Sequence, residues 1–215
     1  MTSMVLPLVV TLSLVACSGA MQRSTPGGLT REELARVAAM KVEVTEADVH
    51  FMSGMIPHHA QAVLIAGWAA SHGARSDVRI LSERIVVGQK DEIALMRNWL
   101  GDKGKPVPAA DATHMRMKMD GMEHDMLMPG MLSAEQLAQL DRARGSEFDQ
   151  LFLTFMIRHH EGAVSMVDEL FGTNGAGQDE TVFRLASDIY ADQTTEIDRM
   201  QKMLSTLPGG GSLPR

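Results

Sequence analysis

Asp48–Trp68 reads DVHFMSGMIPHHAQAVLIAGW, and Asp149–Glu169 reads DQLFLTFMIRHHEGAVSMVDE. At an offset of 101 residues, eight of their 21 positions are identical: Asp48/Asp149, Phe51/Phe152, Met55/Met156, Ile56/Ile157, His58/His159, His59/His160, Ala62/Ala163 and Val63/Val164. At an offset of 104, Leu81–Leu100 matches Leu185–Leu204 at seven of 20 positions: Leu81/Leu185, Ile85/Ile189, Gln89/Gln193, Glu92/Glu196, Ile93/Ile197, Met96/Met200 and Leu100/Leu204. Both members of a helix pair therefore recur in the same order. Two αα-hairpins, each with an apolar stripe, bury those stripes against each other as a four-helix bundle. The fold class read from the repeat is all-α.

Helix signals flank the repeats. Thr30-x-x-Glu33 is a capping box for a short helix to about Val42, and Thr45-x-x-Asp48 opens a segment expected to end near His72-Gly73. A segment from Asp77 to Leu100 is closed by Gly101. Ser133-x-x-Gln136 opens a long segment expected to run through Phe171-Gly172, and a last helix is expected from about Asp179 to Leu204. No stretch reads as alternating with a period of two, so strands are not expected.

The residues kept in both repeats are chemical. Met-Ile-x-His-His occurs at Met55–His59 and at Met156–His160. With neighbours 100° apart on a helix, Met55 falls angularly between His58 and His59, and Met156 between His159 and His160. Met52 extends the first face. The second helices keep Gln-x-x-Glu-Ile-x-x-Met, with Gln89, Glu92 and Met96 in one and Gln193, Glu196 and Met200 in the other. Inward rows of this kind build metal sites in bundles. Packing alone demands apolar volume, not two polar rings per helix. Glu92, Glu196, Gln89 and Gln193 are placed behind the ligands, orienting the imidazoles.

The connection between the hairpins carries a second signal. From His114 to Met131 it holds seven methionines and two histidines in 18 residues. The candidate ligands there are His114, Met115, Met117, Met119, Met122, His124 and Met126. Thioethers and imidazoles together suit Cu(I) and its analogue Ag(I). A sticky interaction loop or an oxidant sink is the plainer reading of such a run.

Composition narrows the rest. The 215 residues fit one domain with appendages, and the formal charge of −7 speaks against nucleic acid as a partner. Aromatic residues make up 4%, which disfavours an aromatic-rich β-sandwich. The single cysteine, Cys17, excludes an internal disulfide and a thiolate-built metal site. An apolar run from Val5 to Ala16 has the length of a signal-peptide core, and Leu14-Val15-Ala16-Cys17 resembles a bacterial lipobox. The expected organisation is a signal peptide over 1–16, a tether lipidated at Cys17 with a short helix over 17–44, a duplicated domain over 45–206 and a tail over 207–215. Within the domain the first hairpin covers 45–101, the connection 102–132 and the second hairpin 133–206. Membrane contact is expected through the lipid alone.

MIPHHAQAV and MIRHHEGAV, each followed by an E-I-x-x-M helix, resemble the CopM-like family called domain of unknown function 305 over about residues 45–205. The resemblance implies a ferritin-like bundle, export and, for some members, copper binding and copper resistance. Residue by residue it points to Met55, His58, His59, Met156, His159 and His160. Arg158 stands where the first repeat has Pro57, so the two sites need not be equivalent. The expected function is an exported copper-binding protein that sequesters, buffers or hands on Cu(I) to another copper-handling envelope protein. Two other readings stay open: a lipid-tethered envelope interaction protein with structural His pairs, and a ferritin-like di-iron oxidase or peroxidase. The second lacks the Glu-x-x-His spacing of such sites, since no Glu lies three residues before any His. An enzyme is not expected.

Overall fold

Thr45 starts the first long helix as its capping box indicates: its hydroxyl accepts from the Asp48 N–H at 3.1 Å, and Asp48 Oδ2 accepts from the Thr45 N–H at 2.9 Å. The structure, a computed structural model, describes residues 30–33, 43–119 and 122–207, the side chains of 116–125 excepted. The chain divides into a unit of residues 1–41 and a unit of residues 42–215. In the first, the Thr30–Glu33 capping box is formed. The expected signal peptide, Cys17, the remainder of the expected short helix and residues 208–215 lie outside the described residues.

The second unit is built from α1 (Glu46–Gly67), α2 (Ser76–Asp102), α3 (Ala134–Arg142), α4 (Ser146–Gly172) and α5 (Glu180–Ser205). α1 packs on α2, α4 packs on α5, and α1 crosses α4 between the two hairpins. The fold is the expected all-α four-helix bundle. No described helix is long and apolar enough to cross a membrane.

Three local expectations are corrected. α1 ends at Gly67 rather than near His72, and turns carry the chain to Gly73 at φ 73°. The segment from Ser133 is two helices, broken at Gly145, whose φ of 57° leaves the helical region and whose N–H donates to the His72 carbonyl at 2.8 Å. The connection also holds a β-hairpin, β1 (Met115–Met119) and β2 (Met122–Met126), paired antiparallel. Met115, Met117 and Met119 do alternate with a period of two; the run is only five residues long, and the irregular methionines after it hide the alternation.

The repeated Asp48 and Asp149 turn out to be latches between the hairpins. Asp48 Oδ1 accepts from the Gly177 N–H, just before α5, at 2.7 Å. Asp149 Oδ1 accepts from the Arg75 N–H, just before α2, at 3.2 Å. Each carboxylate is buried and holds the loop of the other hairpin. Hydrogen bonds to a charged acceptor are the stronger kind, and their loss strands a backbone donor. Asp48→Ala is expected to cost about 2–3 kcal/mol and Asp149→Ala about 2 kcal/mol. Urea midpoints check this, and an unchanged midpoint in either variant refutes the latch.

Two apolar clusters fill the bundle. One gathers Phe148, Phe152, Leu81, Ile85, Met156 and Met200. The other gathers Phe51, Met52, Met55, Met96, Met128, Met131 and Met166. Every long helix passes from one cluster to the other, and the crossing falls just past His58-His59 in α1, at Gln89–Glu92 in α2, His159-His160 in α4 and Gln193–Glu196 in α5. A polar layer therefore divides the core.

Candidate metal centre

All four histidines of the layer are fully buried. His58 and His159 meet across the α1–α4 seam, their ring centroids 3.9 Å apart. His59 lies 6.1 Å from His58, and His160 lies 6.4 Å from His159. Each outer ring reaches a carboxylate of its own hairpin: His59 Nε2 is 2.8 Å from Glu92 Oε2, and His160 Nε2 is 2.7 Å from Glu196 Oε2. The His160 contact is an aligned hydrogen bond. The His59 contact is as short but lies off the N–H direction, so it is a close polar contact rather than a formed hydrogen bond. Glu92 and Glu196 thus each contact the outer imidazole of their own hairpin.

Burial keeps the inner rings uncharged. Desolvation, then the neighbouring His59, push His58 down to about 3 from its ordinary 6.5. The same desolvation, then His58, hold His159 well below that value. At neutral pH both present neutral lone pairs, the form that binds metal. The carboxyl of Asp192 is raised, first by burial and then by the charges of Glu92 and Glu196.

The layer is rich in unmatched polar atoms. Nδ1 of His58, His59 and His160, both nitrogens of His159, and both amide atoms of Gln89 and Gln193 are buried without a protein hydrogen-bond partner. Buried polar atoms ordinarily have partners, so this concentration marks a place for water or an ion. Where Nε2 of His160 donates to Glu196, its Nδ1 is left with the lone pair; the Pro129 carbonyl sets His58 the same way, 3.0 Å from Nε2. Among the described residues no three His, Cys, Asp or Glu side chains are grouped to hold a metal. A set of three protein donors here would have to include thioethers. Met52, Met55 and Met96 are fully buried on one side of the layer, Met156 and Met200 on the other. Neutral imidazole with thioether is a fit donor set for a soft, low-coordinate ion.

The remaining candidates sit in the connection. The hairpin register sets Met115 opposite Met126, Met117 opposite His124 and Met119 opposite Met122. Directly opposed positions share a face, so these six positions fall on one face of the ribbon and Arg116, Lys118, Glu123 and Asp125 on the other. His114 and Met115 also line a cleft of about 770 Å³ with Val49, Ser53 and Pro57 of α1.

Sequence reasoning missed the strap that follows. Met128 and Met131 belong to the core. The Pro129 carbonyl contacts His58, and Gln61 pins Leu132 twice, its amide donating to the Leu132 carbonyl at 3.0 Å and accepting from the Leu132 N–H at 2.7 Å. Gly130 and Gly162 permit the approach: a Cβ on either would overlap strap or α4 backbone. Position 162 is the repeat partner of Gln61, so an unmatched pair in the repeat was the available signal. The strap also makes the two repeats inequivalent, since its Pro129 carbonyl partners His58 while neither nitrogen of His159 makes an aligned hydrogen bond.

The fold and the site define a duplicated four-helix protein with a buried His/Met layer. Residues 16–100 and 48–204 match the model of the domain of unknown function DUF305, an overlap that a duplicated sequence permits. The chain belongs to that family. A putative secreted DUF305 protein from Streptomyces coelicolor superposes with a TM-score of 0.63 at 26% identity, covering 79% of this chain and 96% of that one. CopM in its Cu(I)-bound form superposes with a TM-score of 0.56 at 27% identity, covering 74% of this chain and 95% of that one. CopM structures in Cu(II)-bound and Ag-bound forms are similar as well. A curated relative, Uncharacterized protein L153 of Acanthamoeba polyphaga mimivirus, is 27% identical over 67 residues, which span 44% of its length.

Proposed function

We propose that this protein is an exported copper-binding protein that takes up Cu(I) at the buried His/Met layer, to sequester it, buffer it or hand it on. The observation that carries the reading is the set of buried imidazoles with unpartnered nitrogens, His58 and His159 held neutral by burial, flanked by Met55/Met96 and Met156/Met200. The likeness to CopM in copper- and silver-bound forms supports it. The methionines and histidines of the connection add further thioether and imidazole donors for the ion. Ag(I) takes the same ligands. The role is binding rather than catalysis. The lipobox-like Leu14–Cys17 supports a position at the cell envelope with a lipid on Cys17, where a protein that receives copper would also belong.

Copper titration with elemental analysis tests the reading. His58→Ala/His59→Ala is expected to bind clearly less Cu(I) than the parent under competition with a Cu(I) chelator. Deleting the hairpin over 115–126, and leaving the strap intact, is expected to remove a further, weaker fraction. Helix content by circular dichroism is expected to persist in both, because the apolar stripes remain. Retention of full capacity by both variants makes the histidines structural and favours an envelope interaction protein. Iron in place of copper in the purified protein favours the di-iron alternative.

A further inference from the structure

A small cavity lies beside Met128 of the strap. Its volume is about 40 Å³, and His50, Met128, Met166 and Glu169 line it together with Ala47, Phe51, Leu170 and Thr173. That is room for one ion or water rather than an organic ligand. Two of the lining groups are thioethers, one is an imidazole and one a carboxylate.

Local structure brings these donors together. His50 and Gly54 are one turn apart on α1, and Met166 and Glu169 are one turn apart on α4, so each pair shares a helix face. Gly54 is the common point. A Cβ placed there would lie 2.7 Å from Met128 Cε, 3.4 Å from Met128 Sδ and 3.5 Å from Met166 Cε. Both thioethers therefore end against the bare backbone of Gly54. A glycine inside a helix costs about 1 kcal/mol against alanine, and the space it opens is filled by Met128. The Met128 sulfur is carried on a fixed backbone: the Met128 N–H donates to Met131 Sδ at 3.2 Å, and the Met131 N–H donates to the Met128 carbonyl at 3.2 Å. Both thioethers are buried, whereas His50 and Glu169 are exposed, so the cavity has a soft floor and a wet rim.

We propose that His50, Met128 and Met166 form a further soft-metal site for Cu(I) or Ag(I), with Glu169 beside it. Two thioethers and one imidazole are a low-coordinate set of the kind such ions accept. Glu169 lowers the cost of bringing a cation to the apolar floor. The site is distinct from the imidazole layer: His50 precedes His58 by eight residues and Met166 follows His159 by seven. At 1.5 Å per residue that is about 11 Å along the antiparallel α1 and α4. Its residues do not recur between the repeats: Leu151 stands opposite His50, Ile65 opposite Met166 and Trp68 opposite Glu169. The proposal shares its ion with the reading of the buried layer but none of its residues.

The test uses Ag(I), which needs no reductant, and the chain labelled with ¹³C at the methionine methyls. Titration is expected to shift the Met128 and Met166 methyl resonances. His50→Ala/Met166→Leu is expected to hold about one equivalent of Ag(I) less than the parent after desalting. Met166→Leu keeps core volume, so the fold is retained, and helix content confirms it. Met128 and Met166 resonances that stay in place at saturation overturn the site, as does undiminished Ag(I) in the double variant. His58→Gln/His159→Gln separates the two readings. If that variant keeps all its silver while His50→Ala/Met166→Leu loses some, the outer site stands and the buried-layer reading fails.

Discussion

Acidification of the metal-free protein is expected to unfold it well before the carboxylates are fully protonated. In the folded chain His58 stays neutral down to about 3, and His159 also lies well below the ordinary 6.5. In the unfolded chain both rings take up a proton near pH 6.5. Above that value both states carry neutral rings, and the shift has no effect on stability. Below it the unfolded state binds protons that the folded state refuses, so stability falls with falling pH. The slope is about 1.4 kcal/mol per pH unit for each ring. For His58 alone the loss reaches about 4–5 kcal/mol by pH 3, comparable to the whole stability of a small domain at about 5–15 kcal/mol. Urea unfolding at a series of pH values between 7 and 4 measures it. His58→Leu is expected to flatten the curve by one proton's slope. A midpoint independent of pH across that window rules out buried neutral histidines.

The second large effect belongs to Gly162→Ala. Alanine favours a helix over glycine by about 1 kcal/mol, so propensity alone predicts a small gain. The structure reverses the sign. The new Cβ would overlap the Pro129 carbonyl and Gly130 Cα, which are backbone atoms with no side-chain freedom to yield. The strap has to leave α4, taking with it the Pro129 contact to His58 and the burial of Met128 and Met131. Exposing two buried methionines and stranding a ring nitrogen costs about 3–5 kcal/mol before the propensity gain. Gly54→Ala is the contrast. There the obstacle is the flexible end of Met128, so the expected loss is about 1 kcal/mol or less. Denaturant midpoints rank the two, and hydrogen exchange at Leu132 reports the strap. A Gly162→Ala protein as stable as the parent, with Leu132 still protected, would falsify the strap as a structural element.

Much of the site was legible because duplication repeats the pattern. A single Met-x-x-His-His on a helix is ambiguous, but its recurrence with Gln-x-x-Glu-x-x-x-Met on the next helix marks four inward faces at once. His59–Glu92 and His160–Glu196 follow from that spacing, because a bundle forces paired helices to meet along those faces. The contact between His58 and His159 does not follow from it. Helical spacing places residues on one helix and says nothing of where two hairpins cross.

The amino-acid sequence by itself determined the helix pairs, their duplication, the capping at Thr45 and Ser133, and the soft character of the candidate ligands. These are local or periodic properties, set by residue type and by spacings of three and four. Only the tertiary structure decided which way the connection runs. Met128 and Met131 resemble their neighbours in the Met-rich run, yet they are core, because Gly54, Gly130 and Gly162 leave backbone surface bare for the strap to lie on. Asp48 and Asp149 likewise read as ordinary first-turn carboxylates, and become latches through donors 129 and 74 residues away. Such partners are fixed by close packing between distant segments, a property of the folded shape that no local pattern encodes.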